Sequence, residues 1–169
     1  MRRRLAVVLV TMVGSALAIQ APAWSSGKDK VLEFDTMAPV DGAFVGPANP
    51  IRGVSGGGLP WQIEEATGEL RVDGRLEVEV EGLVLLDDAS VPEAVRGINP
   101  IPNFQAIVSC LTDVDGLVET VNVSSGLFPA NTEGDSKIEA TLDLPSPCVA
   151  PIVFVASPTG AWFSATGRE

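Results

Sequence analysis

The amino-acid sequence predicts an all-β protein: a single antiparallel β-sandwich, or small barrel, of about eight strands with one short helical turn. Three observations lead to this fold class. Short segments in which apolar and polar residues alternate recur from Lys30 onward. Glycine, aspartate and proline turns separate these segments at a spacing of about ten residues. Helix signals are confined to one segment.

Residues 1–23 have the pattern of a secretory signal peptide. Three arginines precede an uncharged run of 14 residues, and small-x-small cleavage motifs end at Ala18 and at Ala23. A helix that spans the hydrocarbon core of a membrane needs about 20 residues. We therefore expect cleavage after Ala18 or Ala23 and a secreted protein. Residues 24–29 then form a flexible leader, and residues 30–169 form the single β-sandwich domain.

Acidic residues outnumber basic residues, so the full chain has a formal net charge of −11. Cleavage after Ala23 removes three arginines and no acids, which changes the charge from −11 to −14. An acidic surface repels phosphate groups, so we expect no nucleic-acid binding and, after cleavage, no membrane binding. We expect no cofactor. The partner is an extracellular ligand or protein whose identity, like the oligomeric state, the sequence leaves open.

The first hairpin lies in the segment GELRVDGRLEVEVEGLVLL. Leu76, Val78 and Val80 alternate with glutamates, which predicts a strand with one buried face and one solvated face. Asp73 and Gly74 precede this strand and form a strong signal for a turn between two antiparallel strands.

Five further segments predict strands. In SKIEATLDL, Ile138 and Leu142 point inward while Lys137 and Glu139 point outward. The apolar runs FQAIVSCL and PIVFVA predict central strands that are covered on both faces. The segments LVETVNV and AWFSAT complete the set.

The only helix signal lies in SVPEAVRG. Ser90 is the expected N-cap, Pro92 lies in the first turn and Gly97 terminates the helix. This pattern predicts one or two helical turns at an end of the sheets.

Cys110 and Cys148 are the two cysteines of the chain, and an even number in an exported protein favours a disulfide. No Cys-x-x-Cys motif indicates redox activity. In the chain-entropy description, closing a loop of this length stabilises the fold by about 4 kcal/mol.

The stretch GVSGGGLPW matches the G-x-S-x-G pattern of a serine-hydrolase nucleophile elbow and has the glycine density of a phosphate-binding loop. An elbow requires a histidine base and a helix directly after the serine, here Ser55. The chain contains no histidine, and the glycines and proline after Ser55 prevent a helix. A phosphate loop needs a lysine and a helix at the same place. We therefore predict no catalytic residues.

Transition-metal sites are excluded because the chain has no histidine and only two cysteines. Calcium needs only oxygen ligands, and Asp113 and Asp115 in TDVDGLVE are the calcium candidates. A hairpin turn at Asp115-Gly116 explains the same residues without a metal. We therefore predict no metal site.

Two tryptophans flank glycine-rich turns, and these regions hold the candidate binding residues: Trp61, Trp162, Gly57 and Gly58. An exposed indole binds saccharides or apolar partners, whereas a tryptophan of a β-sandwich is more often in the core. Phe163 follows Trp162, so we expect one side chain of this pair to be buried and the other more exposed. The predicted contact surface is the end of the sandwich that carries Gly53–Trp61.

Five sequence blocks, spread over the mature chain, carry a family resemblance: GPANPIRGVSGGGLPW, GRLEVEVEGLVL, GINPIPNFQAIVSCLT, LPSPCVAPIVFV and GAWFSATG. In these blocks the chain resembles a family of small exported bacterial proteins of unassigned function. The resemblance implies a single domain. It implies no activity, so no functional residue follows from it.

The sequence therefore predicts an exported, non-catalytic protein that acts by surface binding or as an extracellular or envelope component. One alternative is a carbohydrate-active hydrolase that uses carboxylates alone, with two acids on different strands about 5–10 Å apart. A second alternative is a secreted protease inhibitor, with the proline-rich loop GINPIPN or LPSPCVAP as its bait.

Overall fold

The computed structural model describes residues 30–167, and this part of the chain is all-β, as predicted. The predicted signal peptide and leader and the last two residues lie outside the described range. Eight strands have four to twelve residues, and four further strands have two. In chain order they are β1 (Lys30–Phe34), β2 (Ala38–Pro39), β3 (Trp61–Gln62), β4 (Glu65–Arg71), β5 (Arg75–Glu81), β6 (Val84–Leu85), β7 (Asn103–Val114), β8 (Leu117–Ser124), β9 (Phe128–Pro129), β10 (Ser136–Thr141), β11 (Val149–Ala156) and β12 (Trp162–Ala165).

Four strands form sheet A, in the order β1-β4-β5-β10 with antiparallel neighbours. β5 confirms the predicted alternation, because Leu76, Val78 and Val80 are buried and the residues between them are exposed. β10 follows the same rule, with Ile138 buried and Lys137 exposed. One face of sheet A therefore packs in the core and the other lies in solvent.

Six strands form sheet B. Its order is β2-β12-β11-β7-β8, and β9 pairs with the beginning of β7. β7 is buried on both faces from Phe104 to Cys110, and β11 is buried from Val153 to Ala156. These two strands confirm the predicted central strands. β3 and β6 form a separate two-stranded ribbon.

The loop segment 51–57 crosses the outer face of sheet B. Arg52 Nη1 donates to the carbonyl oxygens of Ser109 in β7 (3.0 Å) and of Ala150 (2.8 Å) in β11. Asn122 Nδ2 in β8 donates to the Arg52 carbonyl oxygen (3.0 Å). These contacts attach the segment to three neighbouring strands, so the chain itself covers the outer face of the central part of sheet B, while β8 stays exposed.

The glycines of the same segment allow it to run against β12. The Trp162 amide donates to Ser55 O (2.9 Å), and the Gly57 amide donates to Trp162 O (2.8 Å). A Cβ atom at Gly56 would lie 2.0 Å from the carbonyl oxygen of Phe44. Only glycine fits at this position, so the glycine density of the stretch serves packing.

The Asp-Gly turns of the β4–β5 and β7–β8 hairpins have different geometries. Between β7 and β8, Asp115 and Gly116 form a two-residue turn flanked by the paired residues Val114 and Leu117. Both turn residues have positive φ, 53° and 83°, as a type I′ turn requires.

The turn between β4 and β5 is longer than the sequence suggests. The Gly74 amide donates to Arg71 O (3.0 Å), and Gly74 alone of this loop has a positive φ of 81°. The predicted turn at Asp73-Gly74 is therefore confirmed, but Val72 belongs to the loop and is 64% exposed. Such three-residue loops place glycine at the left-handed position.

The predicted helical segment is a single 3-10 turn, Glu93–Val95. The prediction that Ser90 caps it is wrong. Instead, the Asp88 side chain accepts a hydrogen bond from the Ser90 amide (2.6 Å), and the Asp88 carbonyl oxygen accepts one from Val91 N (3.1 Å). Asp88 therefore satisfies the backbone donors that a helix would otherwise use.

Cys110 and Cys148 form the predicted disulfide, with an S–S distance of 2.03 Å. Cys110 lies within β7, and Cys148 directly precedes β11. Since β7 and β11 are neighbours, the disulfide joins two adjacent strands at the centre of sheet B.

Candidate functional site

The two tryptophans proposed as binding residues lie in the core. Trp61 is 4% exposed and Trp162 is fully buried. The Trp61 ring stacks on Phe163 at a centroid distance of 3.9 Å, and Trp162 packs against Phe44 (6.3 Å) and Phe154 (6.0 Å). Neither indole face is available to a ligand, so these residues stabilise the fold and form no binding platform.

The expectation that one member of the Trp162–Phe163 pair is more exposed is wrong. Phe163 is 4% exposed and Trp162 is completely enclosed. Adjacent residues of a strand point to opposite faces, and here both faces are covered. Phe163 packs against Trp61 and Phe104, and Trp162 packs against Phe44 and Phe154. The segment containing Gly56 and Gly57 is hydrogen-bonded to the backbone of Trp162.

The two glycine candidates have different surroundings. Gly57 is buried, and a Cβ atom there would lie 3.1 Å from the Phe163 ring. Gly57 is therefore a packing position and offers no surface to a ligand. Gly58 is exposed and borders a recess of about 450 Å³ together with Asp41, Pro60 and Asp88.

The calcium candidates belong to the β7–β8 turn. Asp113 Oδ1 accepts a hydrogen bond from the Gly116 amide (3.1 Å), and Asp115 occupies a left-handed turn position. Within residues 30–167, the structure brings no three acidic or cysteine side chains together in a group that could hold a metal ion. The hairpin turn accounts for both aspartates.

Sheet A places four glutamates directly opposite one another on its solvent face. The register pairs Glu33 with Glu69, Glu69 with Glu77, and Glu77 with Glu139. Cβ atoms of directly opposite residues lie about 4.5–5.5 Å apart. The row crosses all four strands, and we call it the glutamate ladder.

Two basic side chains neutralise the β1 end of the ladder. Lys30 Nζ lies 2.7 Å from Glu33 Oε1 and 2.9 Å from Glu69 Oε2, and Arg71 also pairs with Glu69. Hydrogen bonds from Lys30 and then Arg71 lower the pKa of Glu69 below its ordinary value. Glu69 is therefore ionised and already partnered at neutral pH.

A single lysine, Lys137, forms ion pairs with the two glutamates at the β10 end of the ladder. Lys137 Nζ lies 2.8 Å from Glu139 Oε1 and 3.1 Å from Glu77 Oε1. Hydrogen bonds with Glu139 and Glu77 raise the pKa of Lys137 above its ordinary value. All three side chains are at least half exposed, so the contacts are screened by solvent.

The solvent face of sheet A carries more acids than bases. Its strands present seven glutamates and four basic residues on this face: Glu33, Glu65, Glu69, Glu77, Glu79, Glu81 and Glu139, with Lys30, Arg71, Arg75 and Lys137. A surface recess of about 550 Å³ opens beside the ladder. Five carboxylates border it: Glu33, Asp35, Glu69, Glu77 and Glu79. We call this surface the acidic face.

Acids from β1, β4 and β5 therefore meet at one recess, as a hydrolase based on carboxylates requires. In such an enzyme one carboxyl group is the general acid, and its pKa is raised so that it holds a proton near neutral pH. The pKa of Glu69 is lowered, which makes Glu69 unsuited to that role. The hydrolase stays a prediction, and assays on polysaccharides test it.

A buried asparagine fixes the proline-rich loop 97–103. Asn99 is 3% exposed; its Nδ2 donates to Ile101 O and Asn131 O (2.8 Å each), and its Oδ1 accepts from the Ile101 amide (2.8 Å). Ile98, next to this anchor, is 39% exposed. The Asn99 side chain thus joins two parts of the loop to each other and to the segment that contains Asn131.

No protein-family model matches the chain, and no curated protein or solved structure does so either. The resemblance to exported bacterial proteins therefore stays a prediction. Across residues 30–167, no helix has the length and apolar character needed to cross a membrane. The acidic face and the loop 97–103 are therefore the features from which a function can be proposed.

The sequence predicted part of the acidic face. Glu77, Glu79 and Glu139 were expected to point outward, and they do. Glu33 and Glu69 were missed as members of the same row, because β1 and β4 pair across a long stretch of chain. The alternation of apolar and acidic residues in VLEF and GELR is the signal that could have identified them.

Proposed function

We propose that this protein is an exported binding domain without catalytic activity of its own, which contacts a basic polypeptide segment through the acidic face. The glutamate ladder is the observation that carries the proposal. Like charges directly opposite one another on neighbouring strands destabilise a sheet. Lys30, Arg71 and Lys137 offset part of this repulsion. A cationic partner would offset the excess of seven glutamates over four basic residues that remains on this face.

The geometry suits an extended basic segment. The recess on the acidic face is bordered by Glu77 and Glu79, and a lysine or arginine side chain fits between carboxylates there. Glu69 is already paired with Lys30 and Arg71, and Glu77 with Lys137, which leaves Glu79 and Asp35 as the carboxylates of the recess that have no ion pair among the described residues. Complementary charge also accelerates association at low ionic strength.

Export is supported by two features. The N-terminal sequence has a signal-peptide pattern. The Cys110–Cys148 disulfide is a bond that persists in oxidising compartments outside the cytosol. Purification from culture medium or periplasm, followed by mass spectrometry of the intact chain, tests cleavage after Ala18 or Ala23.

Calorimetric titration of the purified protein with poly-L-lysine tests the acidic face. The test variant is the double substitution Glu77→Gln and Glu79→Gln. The matched control is Asp87→Asn with Glu93→Gln, which removes the same charge from exposed positions outside sheet A. We expect the Kd of the test variant to rise about tenfold and that of the control less than about twofold.

Two results would contradict the proposal. Equal weakening in both variants would show that poly-L-lysine responds only to net charge. Absence of binding to the wild-type protein at low salt would show that the acidic face serves solubility alone.

A second candidate function, protease inhibition, is favoured by the loop 97–103. A bait loop must resist cleavage, and rigidity imposed by a buried side chain such as Asn99 provides that resistance. The Asn99→Ala variant is the test. Inhibition of a panel of serine proteases by the wild type, lost together with loop stability in the variant, would support this function.

A further inference from the structure

Among residues 30–167, β8 is the strand with the longest free sheet edge. It has eight residues, stands at the end of the strand order in sheet B and pairs with β7 without any register shift. It contains no proline, lysine or arginine, and Glu119 is its only charged residue. An exposed edge of this kind presents unpaired N–H and C=O groups that can bind another strand.

The other three edges of sheets A and B are protected against such pairing. β2 has two residues, one of which is Pro39. β1 carries a register shift between Lys30 and Leu32. β10 carries the charged residues Lys137 and Glu139. Short edges, bulges, proline and charge are the usual means by which proteins block edge-to-edge association. β8 is long and regular, has no proline and carries one charged residue, Glu119.

The hydrogen-bonding phase of β8 shows which backbone groups are free. The Ser125 amide donates to Ala106 O (2.9 Å), which continues the register that pairs Ile107 with Ser124. Hydrogen-bonded and non-hydrogen-bonded pairs alternate along an antiparallel ladder. The alternate residues of β8 therefore direct their N–H and C=O groups away from β7, and these residues are Val118, Thr120, Asn122 and Ser124.

We propose that β8 pairs with β8 of a second copy of this chain, antiparallel and about a two-fold axis at Val121. In this register Val118 lies opposite the partner's Ser124, and Thr120 lies opposite the partner's Asn122. All four free residues are then paired, which forms about eight main-chain hydrogen bonds. The two sheets B become one continuous sheet.

The side chains also fit this register. Glu119 lies opposite the partner's Val123, so no like charges face each other across the new pair. Leu117 lies one diagonal step from the partner's Leu127. Leu117, Val118 and Leu127 are 67%, 75% and 54% exposed.

Exposed apolar side chains are concentrated at this place. Seven large apolar side chains are exposed among the described residues, and four of them belong to residues 114–127: Val114, Leu117, Val118 and Leu127. In the symmetric antiparallel pair Leu117 and Leu127 of the two copies lie near each other, and Val118 packs beside the partner's Ser124. A cationic partner has no comparable attraction to this edge, since its single charge is Glu119.

Sedimentation velocity over a range of protein concentrations tests the dimer. We expect a monomer–dimer equilibrium for the wild type. Thr120→Pro removes an N–H group that points away from β7, so the monomer keeps its own ladder while the dimer loses its central contacts. We expect its dissociation constant to rise at least about tenfold, whereas Thr120→Ala, which keeps the backbone donor, leaves the constant unchanged.

A second pair of variants changes side chains only. Val118→Ser should weaken the dimer about threefold. Val72→Ser alters a valine of similar exposure, 64%, in the β4–β5 loop, and should have no effect. Hydrogen exchange adds a residue-level readout, since the amides of Val118, Thr120, Asn122 and Ser124 should become protected as protein concentration rises.

A wild-type protein that stays monomeric up to about 1 mM would overturn the proposal. A dimer that survives Thr120→Pro in a folded variant, or that Val72→Ser weakens as much as Val118→Ser, would show that another surface is used. Salt separates this dimer from binding at the acidic face: screening should strengthen association between two acidic copies and weaken binding of poly-L-lysine.

Discussion

The outer faces of sheets A and B differ in what covers them. Sheet A leaves its outer face in water and lines it with charged residues, of which seven are glutamates. Sheet B covers the central part of its outer face with the segment 51–57, which is attached by Arg52 to β7 and β11. As a result β5 alternates strictly between buried and exposed residues, whereas β7 is buried on both faces.

This difference indicates that the residues that stabilise the fold and the residues available for binding lie on different sheets. The disulfide, Trp162 and the glycine-rich segment all belong to sheet B or its cover. The charges available for a partner belong to sheet A. Substitutions in sheet B or its cover should therefore lower the free energy of unfolding. Substitutions on the solvent face of sheet A should change the surface charge with little loss of stability.

The largest effect is expected for Trp162→Ala in sheet B. The side chain is fully buried between Phe44 and Phe154, so its removal should lower the free energy of unfolding by about 3–5 kcal/mol. Glu81→Ala, on the solvent face of sheet A, should change it by less than about 0.5 kcal/mol. Urea unfolding measures both, and similar losses in the two variants would contradict the separation.

Arginines on the two sheets give the next contrast. Arg52→Ala removes two hydrogen bonds from a guanidinium group to carbonyl oxygens of sheet B and should destabilise the fold by about 1–3 kcal/mol. Arg75→Ala removes an exposed ion pair with Asp73 and should cost less than about 1 kcal/mol. Thermal unfolding compares the two. Equal effects would mean that Arg52 does not anchor the cover.

Sheet A and its loops should respond first to acid. Hydrogen bonds from Asn131 and then Gly82 lower the pKa of Asp135 below its ordinary value. Hydrogen bonds from Lys30 and then Arg71 lower the pKa of Glu69, and the hydrogen bond from the Arg75 backbone amide is the main cause of the lowered pKa of Asp73. A folded-state pKa below the unfolded value of about 4 means that the stabilisation is complete above that pH and is lost as pH falls through the folded-state pKa.

Asp135→Asn tests this sign. The variant should lose less stability than the wild type when the pH falls from about 5 to about 2, because it lacks the carboxyl group that must be protonated. Urea midpoints at several pH values measure the two slopes. Identical slopes would show that the contacts of Asp135 with Gly82 and Asn131 do not couple folding to protonation.

The sequence predicts sheet A better than sheet B for a physical reason. Alternation in β5 and β10 is a local property, so the outward direction of Glu77 and Glu139 can be read from neighbouring residues. The ladder also needs the register of four strands, and that register depends on loop geometry such as the three-residue turn at Gly74. Burial of Trp61 and Trp162 depends on a distant segment that covers them. No local pattern contains that information.

The smallest effect tests the charge register itself. Glu77 lies between two glutamates, Glu69 and Glu139, whereas Glu79 lies between Thr67 and Lys137 on the same face of the same strand. Glu77→Gln relieves two repulsive pairs of about 0.2–1 kcal/mol each and loses one exposed contact with Lys137, so it should stabilise the fold by a few tenths of a kcal/mol.

Glu79→Gln relieves no repulsion within its row and removes an attraction, so it should destabilise the fold by a few tenths of a kcal/mol. The difference between the two variants, measured by urea unfolding at low salt, should have this sign and should shrink in about 1 M salt, where the screening length is about 3 Å. A difference that persists in high salt would assign the effect to packing. A difference that disappears would show that the ladder carries a cost in stability, and that a cationic partner at the acidic face would relieve it.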